Sequence, residues 1–156
     1  MKSLLGNNKF KFILTGERFI NNEFEPTITG INIPSVSIGT VEQPSLVRGI
    51  NRPGDSLEFG DLAISFQVRE DLHDWMTIYN WMIDIREVTE AKFKFIVCDA
   101  DIILLTNKNN TIIDFKFENI YPISLDDIQL STEDNSSPVT CSATFRYVSL
   151  KISENP

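Results

Sequence analysis

Apolar and polar residues alternate with a period of two along much of this chain. Lys9-Phe10-Lys11-Phe12, continued by Ile13-Leu14-Thr15, predicts a first strand with Phe turned inward and Lys outward. Thr27 to Ile33 alternates again and stops at Pro34; Val36, Ile38 and Val41 continue the extended stretch. Leu62, Ile64, Phe66 and Val68 alternate with Ala63, Ser65, Gln67 and Arg69, which predicts a strand with one apolar face. Residues 92–98 predict another strand, turned back at Asp99-Ala100-Asp101 into a strand over 102–106. Asn107 to Asn110 is a turn, and residues 111–120 form a strand that ends at Pro122. After an acidic, polar break over 126–138, residues 139–152 predict one long final strand. Val139, Cys141, Ala143, Phe145, Tyr147 and Ser149 share its apolar side.

Two stretches depart from this period. Leu72, Trp75, Tyr79 and Met82 are spaced by three or four, as one face of a helix over about 71–85 requires. Glu70, Asp71 and Asp74 suit the positive end of that helix, with Asp71 as N-cap. Residues 42–56 hold Pro44, Gly49, Pro53 and Gly54 and predict a long polar loop closed by a Pro53-Gly54-Asp55 turn. A loop of that length inside a compact domain implies a function or a docking role.

About seven strands with turn signals between them, and one helix, make the chain mainly β. The expected architecture is two packed antiparallel sheets, a sandwich or open barrel, flanked by the helix. The whole of 1–156 reads as a single domain, with residues 1–7 as a flexible arm.

Composition narrows the function classes. Hydrophobic content of 42% and charged content of 23% fit a folded domain and exclude a disordered chain. The net charge of −8 disfavours non-specific nucleic-acid binding, which needs Lys and Arg to neutralise phosphates. Cys98 and Cys141 lie in apolar runs and read as small buried hydrophobes. His73, the sole histidine, stands beside Asp74 with no nucleophile motif near it. The seven glycines are scattered and build no phosphate loop. Asp99 and Asp101, and the adjacent Asp126 and Asp127, lack the spacing of a calcium loop. No catalytic, cofactor-binding or metal-ligating residue is therefore assigned. The apolar run at Met1–Leu5 ends at Asn7, too early for a signal peptide. No run approaches the roughly 18–20 residues of a membrane helix, so a cytoplasmic site of synthesis and no membrane partner are expected.

The order of the parts carries more than any one of them. A strand pair leads to the stretch holding Arg48, Asn51 and Arg52, then Pro53-Gly54-Asp55, then Phe59-x-x-Leu62 opening a strand. Arg69-Glu70-Asp71-Leu72-His73-Asp74-Trp75 opens the helix, and Ile78-Tyr79-Asn80-Trp81 lies within it. Phe117 to Leu125 then precedes a terminal strand containing Phe145-Arg146-Tyr147. Over roughly 8–152 this is similar to the tail tube protein superfamily of contractile-tailed bacteriophages, including tube, tube-initiator and tube-terminator components and the Hcp tube protein of type VI secretion.

The resemblance implies a non-enzymatic structural virion protein that assembles into rings, six copies each, stacked into a tail tube. Inner strands would join across subunits, and the long loop would reach a neighbouring ring. It implies partners in other copies of the chain and in sheath, baseplate or neck proteins. DNA would pass through the lumen without specific binding, with assembly in the host cytoplasm and a final place in the virion tail. Arg48, Arg52, Pro53, Gly54 and Asp55 become candidates for contacts between subunits or rings. Trp81, which falls off the apolar stripe, joins them. A phage-derived contractile injection or secretion system would use the same fold. A monomeric ligand-binding β-sandwich, with an ordered 42–56 loop and an apolar pocket, is the alternative from another class.

Overall fold

The computed structural model describes residues 5–6, 8–16, 27–43, 49–87, 96–133 and 137–154. Within them lie β1 (Phe10–Thr15), β2 (Thr27–Asn32), β3 (Val36–Gln43), β4 (Ile50–Phe59), β5 (Leu62–Gln67), α1 (His73–Arg86), β6 (Cys98–Leu105), β7 (Thr111–Leu125), β8 (Thr140–Arg146) and β9 (Ser149–Glu154). All pairings are antiparallel.

Seven strands form the body in the order β1-β6-β7-β8-β5-β2, with β9 on the other edge of β7. The 15-residue β7 belongs to both halves of it. Thr111 to Ile120 pairs with β6, and Ile113 to Glu118 also pairs with β9. Tyr121 to Leu125 pairs with β8. The change of partner falls beside Asn119, whose φ of 54° is left-handed backbone that Asn tolerates. The strand thereby folds one continuous ladder into two facing sheets, β1-β6-β7-β9 and β2-β5-β8-β7.

Alternation then builds the core. Leu62, Ile64 and Phe66 of β5 meet Ala100 and Ile102 of β6, Phe117 and Ile120 of β7, and Ala143 and Phe145 of β8. The helix packs beside β7 and closes the sandwich with Ile78 and Trp81, both fully buried. Mainly β architecture, two packed antiparallel sheets and a flanking helix thus match the sequence reading.

Several local expectations are corrected. Residues 42–56 are not one loop: β3 extends to Gln43, β4 begins at Ile50, and Pro53-Gly54-Asp55 lies inside β4. The two strands form a separate two-stranded sheet, in which each strand is an edge and Pro53 is tolerated. Asp99-Ala100-Asp101 is likewise no turn but the first half of β6, because Ala100 and Ile102 fill the core beside Phe117. The strand expected at 92–98 falls, up to residue 95, outside the described residues. β7 continues through Pro122, which pairs with Phe145 beside a bulge. The final strand breaks at Tyr147 and Val148, so that its two parts serve different sheets.

The helix starts at His73. Its N-cap position is Leu72, with φ of 54°, and the Asp71 carboxylate accepts the His73 N–H at 3.0 Å. Its fully buried residues are Asp74, Ile78 and Trp81; of the Leu72, Trp75, Tyr79 and Met82 stripe, Trp75 and Met82 pack half-buried against the core while Leu72 and Tyr79 are exposed. Trp75 is half-buried, stacks on Tyr79 at 5.5 Å and donates Nε1–H to the Asp126 carbonyl at 3.4 Å. Of the expected N-terminal arm, residues 1–4 and 7 lie outside the described residues.

Candidate functional site: an exposed β-arm and unpaired strand edges

Among the described residues, β3 and β4 make an arm that the chain joins to the body through residues 33–35 and 60–61. Val36 lies opposite Phe59, and Ile38 opposite Leu57. Directly opposed residues share a face in an antiparallel pair, so these four side chains form one apolar patch. Their exposures are 54%, 43%, 50% and 59%, in that order. A lone two-stranded hairpin is marginally stable in water, and its apolar face gains from being covered.

Beyond the patch the register shifts. Ile38 pairs with Leu57 and Thr40 with Pro53, which leaves Gly39 opposite Gly54, Asp55 and Ser56. The strands almost touch there: a Cβ on Gly54 would sit 2.6 Å from the Gly39 carbonyl oxygen. Gly54 is thus required by close strand approach and not by a turn.

The sequence candidates divide accordingly. Arg52, Pro53, Gly54 and Asp55 lie together in β4, with Arg52, Pro53 and Asp55 exposed. Arg48 lies outside the described residues. Trp81 is 0% exposed, packs on Phe145 at 5.9 Å and donates Nε1–H to the Ile96 carbonyl at 2.6 Å. It is a core residue and is unavailable to a neighbour. Sequence reading missed Val36, Ile38, Leu57 and Phe59 as a set. The signal existed in the alternation of Val36-Ser37-Ile38 and Leu57-Glu58-Phe59, but the pairing that unites them is a tertiary fact.

Three strand edges also lack a partner among the described residues. β1 pairs only with β6, β2 only with β5, and β9 only with β7. An open cleft of about 640 Å³ lies between β1 and β2, lined by Phe10, Phe12, Ile13 and Ile28. Such edges present free N–H and C=O groups to another chain.

The groups with displaced proton affinity do not gather in that cleft. Burial pushes the Asp74 carboxyl up, against the charge of Arg69, whose Nε lies 3.2 Å from Asp74 Oδ2 under the helix. Both Asp74 oxygens are buried, and the Arg69 guanidinium is the cation beside them. Burial, then the charge of Asp114, pushes up Asp101 on the outer face of β6. Burial raises the Cys141 thiol, which donates to the Asp126 carbonyl at 3.2 Å. Two hydrogen bonds, from Lys151 and then Ser149, hold Glu118 below the usual carboxylate range. Among the described residues no three His, Cys, Asp or Glu side chains converge as a metal-ligating group. No described helix is long and apolar enough to cross a membrane.

Comparison with known proteins gives this arrangement a context. The tail tube terminator protein of Enterobacteria phage T4 is 25% identical over 146 residues, covering 90% of this chain and 82% of that protein. Among solved structures, the tube-terminating cap of the anti-feeding prophage superposes with a TM-score of 0.72 at 14% identity, covering 99% of this chain and 94% of that one. A structure of the sheath/tube terminator of the PVC extracellular contractile injection system superposes with a TM-score of 0.69 at 14% identity, covering 97% and 98%. At those identities the two structures show a shared fold. The family described as phage tail tube protein matches residues 5–153, and the chain belongs to it: a structural component of a phage or phage-like tail.

Proposed function

We propose that this chain forms the ring that terminates a contractile tail tube. The observation that carries the reading is the match to the T4 tail tube terminator, which spans nearly the whole of both chains. The two injection-system terminators share this chain's fold.

In this reading copies associate side by side through the unpaired edges of β1, β2 and β9, six to a ring, leaving a lumen for DNA. Closing a ring removes edges that a lone subunit leaves open. The β3–β4 arm lays its apolar patch on an adjoining copy or ring. Arg52, Pro53 and Asp55 then serve as contacts along the arm. Sheath, baseplate or neck proteins meet the assembled ring at its outer surface, where α1 exposes Met76 and Tyr79 and its N-cap position exposes Leu72. The role is non-enzymatic. Displaced titratable groups in an enzyme cluster in a cleft, whereas Asp74, Asp101 and Cys141 here lie on separate elements.

Negative-stain electron microscopy of the purified chain, alone and mixed with preassembled tubes, tests the proposal. Six-fold rings with a central hole, or caps on tube ends, are expected. Incorporation along the length of growing tubes would instead make the chain a main tube subunit. A chain that stays monomeric and leaves tube ends bare would overturn the proposal.

A further inference from the structure

The joint between arm and body is held by a clamp whose parts come from distant sequence. Gly60 N–H donates to the Ser35 carbonyl at 2.8 Å and ties the two crossing strands together. A Cβ on Gly60 would lie 2.9 Å from Ser35 Oγ, so the two segments meet at near contact. Tyr147 Oη–H then donates to the Gly60 carbonyl at 2.8 Å. Arg146 Nε meets Asp61 Oδ1 at 3.3 Å. Arg146 and Tyr147 stand where the chain passes from β8 to β9, the corner between the two sheets.

That corner is itself fixed. The Tyr147 ring meets Phe117 edge-on, at 4.9 Å and 76°, and Phe117 is fully buried. Val148 N–H donates to the Glu118 carbonyl at 3.0 Å. The Tyr147 ring therefore belongs to the body, while its hydroxyl is spent on the root of the arm. The Arg146–Asp61 pair is half-exposed, and such a pair adds little to stability. Its effect is directional: it opposes rotation about Gly60 and Asp61.

From this geometry we infer that Tyr147 and Arg146 are positioning residues that set the angle of the β3–β4 arm against the two sheets, and that this angle presents the Val36–Ile38–Leu57–Phe59 patch to an adjoining copy. The second half rests on the ring-assembly reading; the first half does not.

The test uses the full chain with spin labels on Ser37→Cys in the arm and Lys151→Cys on β9, both exposed positions. Cys98 and Cys141 are buried and are checked for absence of labelling. Pulsed electron–electron distance measurements compare the parent with Tyr147→Phe, which keeps the ring on Phe117, and separately with Arg146→Gln. Each variant should broaden the arm-to-body distance distribution while leaving the monomer folded, with the near-ultraviolet circular dichroism of the parent. Unlabelled Tyr147→Phe should assemble about fivefold less readily, the weight of one directed hydrogen bond. An unchanged distribution in both variants would overturn the clamp, whatever the protein assembles into. A broadened distribution with undiminished assembly would overturn the claim that the angle matters to the contact. If the parent chain itself formed no ring, the ring reading would fail while the distance measurement still decided the clamp.

Discussion

The sharpest expectation concerns the paired change Ile38→Thr with Leu57→Thr. The two residues lie opposite one another in the arm, at 50% and 59% exposure. Threonine is β-branched, a shape that strands favour, and removes apolar area at both positions. Fully burying an aliphatic side chain is worth about 1.5–3 kcal/mol, so the half still open on each residue holds roughly 0.8–1.6 kcal/mol. Together the pair withholds about 2–3 kcal/mol until something covers it, or roughly a 30- to 150-fold change in the association constant per arm contact. The isolated subunit already exposes about half of each side chain, so its free energy of unfolding should change much less than the association does, by about 0.5 kcal/mol. Sedimentation velocity over a concentration series reads the association, and urea unfolding reads the subunit. If the doubly substituted chain assembled with parent affinity, the apolar patch would have no part in the contact. If instead the subunit unfolded easily, the patch would be buried in the monomer and the arm misplaced.

Phe66, fully buried against both sheets, should cost about 3–5 kcal/mol on replacement by Ala, measured as the loss in free energy of urea unfolding. Gly54→Ala forces a methyl into the Gly39 carbonyl and should pry the arm strands apart; assembly is lost while near-ultraviolet circular dichroism of the core is retained. Asp101 has a folded-state proton affinity above its unfolded one, raised by burial first, with Asp114 and Asp99 adding to it and Lys116 opposing. Its contribution to stability is complete below the ordinary value of 3.8 and falls as pH rises through the higher folded value. Asp101→Asn should therefore raise the melting temperature at pH 7 and change it little at pH 3.5; equal effects at both would contradict this environment. Cys98 and Cys141 are buried, so neither should react with a thiol reagent until denaturant is added.

Where one face of an element decided its place, the sequence was readable. β5 alternates so plainly that Leu62, Ile64 and Phe66 were assigned to the core from period alone, and Cys141, Ala143 and Phe145 of β8 likewise. The helix is legible, but its stripe captures only the half-buried margin of the core-facing side, Trp75 and Met82, and not Ile78 and Trp81. Leu72 and Trp75 are as apolar as Ile78 and Trp81, and periodicity cannot choose between two apolar faces of one helix. Packing against β7 chose the face that carries Asp74, a residue that hydropathy places outside; the partner that makes its burial tolerable, Arg69, lies on the preceding segment. Pro53-Gly54-Asp55 has the composition of a turn, yet pairing with β3 and the close approach of Gly39 made it strand. Pro122 signalled an end, but β8 alone pairs with that part of β7, so its missing N–H was not needed on the other side. Each miss came from a contact across long sequence separation.

The double membership of β7 has a consequence for how the subunit comes apart. Among the described residues, the ladder from β1, β6 and β9 to β8, β5 and β2 runs only through this strand, and the sheets on either side share its backbone. Neither sheet can lose β7 and survive as a separate unit. Opening one must release ladder bonds in the other, so amides in β5 and β6 should report the same global unfolding event, although those two strands never pair. A ring made of such subunits would have no soft half: force on one wall is carried through a single covalent strand into the other, and the subunit yields as a whole or holds.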